Sequence, residues 1–275
     1  MMSRTILITG CSSGIGYHAA HGMKQRGWRV FATARKEEDV ARLKAEGLEA
    51  LRLDYADGQS IAAAVSAVLA LTGGTLDALF NNGGYAQPGA LEDLPTALFR
   101  EQFEVNVFGW HDLTRRLIPV MRRQGHGRIV FCSSVLGYMS VRHRGAYAAS
   151  KYAVEAIADT LRLELFGSGI RVVLIEPGPV RTRFVENALS GIEEKLDVTG
   201  SHHRDDYADQ LARRGTIEPN PFRVGPEAVL ARLLLAVESA NPAPRYRVTL
   251  PAQVAWYLKR ILPVRVADWL SRRVP

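Results

Sequence analysis

The sequence predicts an α/β fold, built on a parallel and doubly wound sheet, and three observations carry that expectation. Short apolar runs of strand character alternate with helical patterns of roughly ten to twenty residues, as in parallel strands joined by crossover helices. A glycine-rich turn stands between the first strand and the first helix, the place where sheets of this kind hold phosphate groups. At 275 residues and 47% apolar content, the chain can bury a large core, expected as one domain over 1–275.

The first of seven expected strands lies near 5–9 and is bounded at once by Gly10. Thr9-Gly10-Cys11-Ser12-Ser13-Gly14-Ile15-Gly16 follows, and then an alanine-rich helix through about Arg26. Glycines let the backbone turn tightly and approach a diphosphate, whose charge a helix N-terminus favours. Gly10, Ser12, Ser13, Gly14, Ile15 and Gly16 are therefore candidate nucleotide-binding residues. Their spacing is G-x-x-x-G-x-G, not the G-x-G-x-x-G of the dinucleotide fingerprint. The second strand, 28–34, should end where an acid would grip the ribose 2′-hydroxyl of NAD, about 20 residues past the glycines. The chain instead gives Ala34-Arg35-Lys36. A missing acid and a guanidinium in reach favour a 2′-phosphate, so NADP(H) is expected in preference to NAD(H). Acidic residues 37–39 are expected to begin the next helix and point elsewhere.

The third strand, 48–53, leads to Asp54, and the fourth, 76–81, to Asn81-Asn82-Gly83-Gly84. The fifth, 128–133, runs into Ser134. Tyr147 and Lys151 then stand four residues apart in a helical stretch. A lone tyrosine, with a pKa of about 10, moves protons poorly at neutral pH. A lysine one turn along lies on the same face and favours the phenolate, while a serine brought alongside could hold a carbonyl or hydroxyl oxygen. The sixth strand, 170–176, precedes Pro177-Gly178-Pro179-Val180-Arg181-Thr182, and the seventh is expected at 245–250. All these residues follow strands or lie on helices that start there, so they can converge beyond the carboxyl edge of the sheet.

With the glycine loop and the tyrosine–lysine pair both present, the chain resembles the short-chain dehydrogenase/reductases over residues 4 to about 182. The resemblance implies a Rossmann fold and further roles. Asp54 falls where the family places an aspartate near adenine. Asn82 and Gly83 belong to a segment similar to N-N-A-G, with Gly84 in place of the alanine and a looser loop expected from it. Asn106 sits where the family carries a catalytic asparagine that anchors a water, and Lys151 also binds the nicotinamide ribose. Pro177, Gly178, Val180 and Thr182 resemble the segment that holds the nicotinamide amide. Catalysis is thus expected from Ser134, Tyr147, Lys151 and Asn106. Helices near 98–124 and 147–166 commonly pair across subunits in this family, which implies a homodimer or homotetramer.

Composition narrows the rest. Two cysteines, Cys11 and Cys132, suit a reducing cytoplasm. No leader is expected before the first strand, and no apolar run approaches the ~20 residues that span a bilayer. His18 with His21 and His202 with His203 lack the spacing of a metal site. The formal charge of +7 is concentrated after Pro242, where seven basic residues oppose Asp268 alone. Over about 251–275 these alternate with apolar and aromatic residues. That tail reads either as a membrane-surface helix or as a helix packing on the body or another subunit. No recognition motif accompanies the charge, so nucleic acid is not expected.

The function expected is interconversion of a carbonyl and its alcohol. The substrate would lie under a lid at about 183–225, and apolar neighbours such as Val135, Leu136, Tyr138 and Met139 suggest a lipophilic one. The pattern is most similar to the hydroxysteroid, retinol and bacterial aldehyde reductase branch. The alternatives are a non-catalytic NADPH-binding sensor or scaffold, which should have lost the tyrosine or lysine, and a nucleotide-sugar epimerase or dehydratase, which usually needs more chain after Thr182.

Overall fold

The computed structural model describes residues 3–212 and 221–272. Seven strands form its centre: β1 (Thr5–Ile8), β2 (Arg29–Ala34), β3 (Glu49–Arg52), β4 (Ala78–Asn81), β5 (Gly127–Cys132), β6 (Ile170–Glu176) and β7 (Arg245–Arg247). All pair in parallel in the order β3-β2-β1-β4-β5-β6-β7, with helices on both faces. β1 and β4 are buried along their whole length, as strands covered on both sides must be. Ile6, Leu7, Ile8, Phe31, Phe80, Ile129 and Leu174 are among the fully enclosed core side chains. The order of winding reverses between β1 and β4, so the crevice beyond their carboxyl ends is the natural ligand site of such a sheet.

The helices are α1 (Gly14–Gln25), α2 (Glu37–Ala45), α3 (Gly58–Thr72), α4 (Thr96–Phe103), α5 (Gly109–Gln124), α6 (Gly145–Glu164), α7 (Phe184–Lys195), α8 (Arg204–Ala212), α9 (Glu227–Glu238), α10 (Leu250–Ile261) and α11 (Val264–Ser271). Local chemistry sets their ends. Asp57 caps α3 by accepting from the N–H groups of Gln59 and Ser60 at 2.9 and 3.2 Å, and Gly73 closes it at φ +67°. α5 turns Trp110, Leu113, Leu117, Val120 and Met121 into the core.

Three expectations change. The seventh strand is shorter than 245–250, because Thr249 accepts from the Ala252 N–H and Pro251 suits a first helical turn, so Leu250 opens α10. The helix expected near 98–124 is two helices joined by a π-helical turn, Glu104–Phe108, which carries Asn106 inward. The stretch after Pro242 is less basic outside than its composition implies, because its first two charges are enclosed. Arg245 is ion-paired to Glu155, to Asp159 at 2.6 Å and to Glu176 at 2.5 Å, while Arg247 lies 3.1 Å from Glu176.

Of the segment expected as a lid, α7, the residue after it and α8 bury Leu189, Ile192, Leu196 and Tyr207 against Ala90, Leu94 and Ala146; residues 213–220 of that segment, and 273–275 of the tail, Arg273 among them, lie outside the described residues. No helix among the described residues is long and apolar enough to cross a membrane.

Candidate active site

The glycine loop is locked to the next crossover by close packing. Gly10 has φ +68°, and a Cβ there would stand 2.4 Å from the Gly83 Cα, so only glycine fits. A Cβ on Gly16 would stand 2.2 Å from the Gly10 carbonyl oxygen. Thr9 ties the two loops: its hydroxyl accepts from the N–H groups of Asn82 and Gly83 at 2.9 and 3.0 Å and from the Tyr55 hydroxyl at 2.9 Å. The Asn82 amide donates to the Thr9 carbonyl at 3.0 Å. α1 starts at Gly14 behind an extended Ser13 whose side chain forms no cap, so its first N–H groups have no side-chain acceptor, the feature that suits an anion. Ser12, Ser13 and Ile15 lie in this same loop and first turn.

Arg35 is exposed at the end of β2, while Lys36 pairs with Glu38 at 3.2 Å. Asp39 is taken up by Arg42 at 2.8 Å, so the nearby acids are turned aside or outward. Arg42 is a residue the sequence gave no reason to single out. Its guanidinium donates to the Ser12 carbonyl at 2.7 Å, which adds a second cation beside the loop. Asp54 accepts from the Ala56 N–H at 3.0 Å, and its own N–H donates to the Ser60 hydroxyl at 3.0 Å.

Beyond β5 the catalytic candidates gather. Ser134 is extended, and its hydroxyl accepts from the Leu136 N–H at 3.1 Å. Val135 donates to the Pro177 carbonyl at 2.8 Å, which draws the segment after β6 beside it. α6 supplies Tyr147 and Lys151 one turn apart, both buried. The Lys151 ammonium donates to the Cys132 carbonyl at 2.8 Å and lies 4.3 Å from the Trp110 ring centroid. Trp110, also unanticipated, is fixed by donating from its indole to the Gly83 carbonyl at 2.7 Å. The Tyr147 ring meets Phe184 at 5.5 Å and packs with Ala86, Ala188 and Leu136.

The electrostatics differ from the sequence expectation in one respect. Burial pushes the Tyr147 phenol above its ordinary range, and the Ser134 hydroxyl beside it pulls the other way. Lys151 is itself buried, which lowers it to about 8, and its ammonium is directed at the Cys132 carbonyl. Tyr147 is therefore held as a protonated donor rather than as a standing phenolate. Cys132 is pushed up to about 11 and Cys11 to about 12, both by burial, so neither is a ready nucleophile.

Asn106 is buried in the π-helical turn. Its side chain clamps the Tyr85 backbone, donating to the carbonyl at 2.9 Å and accepting from the N–H at 3.2 Å, and it also reaches Ser150 at 3.3 Å. Gly84 abuts this clamp: a Cβ there would stand 2.8 Å from Asn106 Oδ1. The missing methyl makes room for a pinned loop, not a looser one.

The segment after β6 crosses back over the glycine loop. Val180 bridges to Val224, Gly178 lies against Thr249, and the Thr182 side chain lies 3.2 Å from where Gly14 would carry a Cβ. Thr182 then accepts from the Phe184 N–H at 3.3 Å. The histidines regroup as well. His203 stands with His143 and Asp206, their ligand-type atoms within 4.8 Å, and not with His202. That cluster is already paired, Arg142 to Asp206 at 2.5 Å and His203 to Glu92 at 2.7 Å.

Comparison with known proteins agrees with this fold. A family model described as short chain dehydrogenase matches residues 4–193. The chain is 44% identical over 269 residues to the uncharacterized oxidoreductase YbbO of Escherichia coli (strain K12), covering 98% of this chain and 94% of that one. It is 35% identical to 17-beta-hydroxysteroid dehydrogenase type 1 of Homo sapiens, covering 90% and 78%. Among solved structures, an actinorhodin polyketide ketoreductase with NADPH superposes with a TM-score of 0.73 at 30% identity, covering 91% and 97%. A short-chain dehydrogenase/reductase from Burkholderia phymatum in complex with NAD gives 0.78 at 27% identity, covering 99% and 96%.

Proposed function

The chain belongs to the short-chain dehydrogenase/reductase family and is an oxidoreductase acting on CH–OH donors with NAD(P); from that premise we propose that it interconverts a lipophilic ketone or aldehyde and its alcohol with NADP(H), using Ser134, Tyr147 and Lys151. The observation that carries the reading is their convergence at the carboxyl edge of β5, with Lys151 on the Cys132 carbonyl, Ser134 two residues on and Tyr147 one turn before the lysine. The crevice fits a dinucleotide: Gly10 and Gly16 stand where a Cβ would collide, and the α1 N-terminus is uncapped. Gly10, Ser12, Ser13, Gly14, Ile15 and Gly16 would hold the diphosphate, Asp54, Asn82 and Gly83 the adenosine side, and Pro177, Gly178, Val180 and Thr182 the nicotinamide side.

NADP(H), when bound, supplies or accepts the hydride. The protein's own residues manage the proton and the charge. In reduction Tyr147 donates its proton to the developing alkoxide and is left as the phenolate; in oxidation the phenol must first give up its proton, and the phenolate then takes the alcohol proton. Ser134 donates a hydrogen bond to the substrate oxygen and supports the charge that grows there. Lys151 keeps a positive charge behind the tyrosine and would meet the ribose hydroxyls. Asn106, whose side chain fixes Tyr85 and Ser150, would anchor a water that connects Lys151 to solvent. The lipophilic reading rests on Ala86, Leu136, Ala188 and Phe184 around Tyr147. Self-association would use α5 and α6, with Tyr152, Leu163 and Phe166 exposed on and after α6.

The test is NADPH and NADH oxidation by the purified protein over steroids, retinal, medium-chain aldehydes and small ketones. Turnover with an apolar carbonyl and NADPH is expected; no turnover anywhere on that panel would defeat the reading. In the same assay Arg35→Asp should move the preference from NADPH toward NADH, because it removes the guanidinium and adds the missing acid. Unchanged selectivity would take Arg35 out of the argument.

Reduction should also weaken as pH rises through about 8. Burial lowers the Lys151 pKa to that value, so the cation behind Tyr147 is present below it and lost above. Tyr147, pushed the other way, keeps its proton throughout. A pH profile of kcat/KM with no decline across that range would show that the lysine charge does not support the step.

A further inference from the structure

We propose that α10 and α11 together form a surface that docks on an anionic lipid bilayer beside the substrate opening. α10 turns an apolar stripe outward. Leu250, Val254, Tyr257, Leu258 and Ile261 recur at helical spacing on one face, and all are exposed, Ile261 by 75%. A helix that only covered the body would turn such a stripe inward, yet here the inward side is the small, fully buried Ala252. α11 buries no residue and exposes Val264 by 74% along with Val266 and Leu270. Pro263 joins the two helices, so the apolar surface continues from one into the other.

Charge decides what covers that surface. Lys259, Arg260, Arg265 and Arg272 border it, against Asp268 alone. Lys259, Arg265 and Arg272 form no ion pair among the described residues, while Arg260 stacks 3.7 Å from the Trp256 ring centroid. A second copy meeting this face by two-fold symmetry would set the basic rim against itself with few acids to offset it. Anionic headgroups supply the opposite charge, and the acyl boundary takes the apolar stripe, as for a helix lying in the bilayer interface.

The position gives the surface a use. Tyr138, four residues past Ser134, donates its hydroxyl to the Ala252 carbonyl at 2.7 Å and so roots α10 beside the catalytic turn. Ser140, Val141 and Arg142 share a cleft with Asp268, Ser271 and Arg272 of α11 and its end. Docking would therefore face the opening toward lipid, where a lipophilic carbonyl is dissolved; this clause rests on the proposed function, whereas docking itself does not.

The experiment is co-sedimentation of the full chain with vesicles of phosphatidylcholine alone, or mixed with an equal part of phosphatidylglycerol. Binding to the mixed vesicles alone is expected, weakening as salt is added. Lys259→Gln and Arg265→Gln should each lower partitioning about fivefold, the equivalent of ~1 kcal/mol per basic residue near such a surface, and Ile261→Asp should abolish it. Far-UV circular dichroism and sedimentation velocity of each variant, without vesicles, report fold and mass. No binding to the mixed vesicles, equal binding to both kinds, or a doubled mass that Ile261→Asp returns to monomer would overturn the proposal. Because sedimentation reads no turnover, an inactive enzyme that still binds defeats only the catalytic reading.

Discussion

Tyr147→Phe is expected to lower kcat for carbonyl reduction by about 100- to 10,000-fold, the usual worth of a positioned proton donor, while NADPH binding persists. The ring itself is a packing element, enclosed by Ala86, Ala188 and Leu136 and touching Phe184. Phenylalanine keeps all of that volume. What it loses is the one hydroxyl that can pass a proton to the substrate oxygen, a group beside the Ser134 hydroxyl that can make one hydrogen bond. Losing one such bond costs about 0.5–1.5 kcal/mol of stability, so the melting temperature should move little and the loss of rate cannot be assigned to unfolding. Lys151 keeps its bond to the Cys132 carbonyl and its place over Trp110, so a cofactor contact made through it survives. Fluorescence titration with NADPH and steady-state rates on the same preparation separate the two effects. A variant that turned over near the parent rate would remove Tyr147 from the proton path and with it the proposed chemistry.

How much of this was legible beforehand depends on whether the signal is local. Six strands appear within a few residues of their expected places, because each is a short run rich in apolar residues that a turn-forming or charged residue soon ends. The candidate site residues fall at the carboxyl ends of β1, β2, β3, β4, β5 and β6, where a parallel sheet must converge them. What escaped were properties that arise only from packing between distant segments. Arg42 reaches Ser12 across thirty residues of chain, and no motif marks it. Trp110 under Lys151 looks in sequence like any core aromatic. The state of Tyr147 was misjudged for the same reason: an i,i+4 lysine favours a phenolate when both groups share solvent, but burial of both reverses the balance. Gly84 is a further instance, since its reason is Asn106, a residue twenty-two positions later.

Arg245→Met should destabilise the protein by about 3–5 kcal/mol, the cost of removing one partner from a buried ion pair, and lower the melting temperature by about 6–20 °C at roughly 2–4 °C per kcal/mol. Read along the chain, Arg245 is simply the first charge of a basic tail. Folded, it is the cation that three carboxylates share, with Glu176 wholly enclosed and Glu155 buried. Burial, reinforced by the charge of Glu176, already pushes the Glu155 carboxyl up. Methionine fills most of the volume but leaves Glu155 uncompensated and Glu176 with Arg247 alone at 3.1 Å. The pH dependence follows from the direction of that shift. A carboxyl whose folded pKa lies above its unfolded value gives its full contribution below the unfolded value and loses it as pH rises through the folded one. Removing Arg245 raises Glu155 further, so the variant should lie furthest below the parent at alkaline pH and recover part of the gap as the medium is made mildly acidic. The arginine also fixes the three-residue edge strand β7 to β6 and α6, and α10 follows directly. Thermal melts at two pH values decide the matter: a variant matching the parent at both would mean that the cluster is relaxed by water and that β7 is held by its backbone ladder alone.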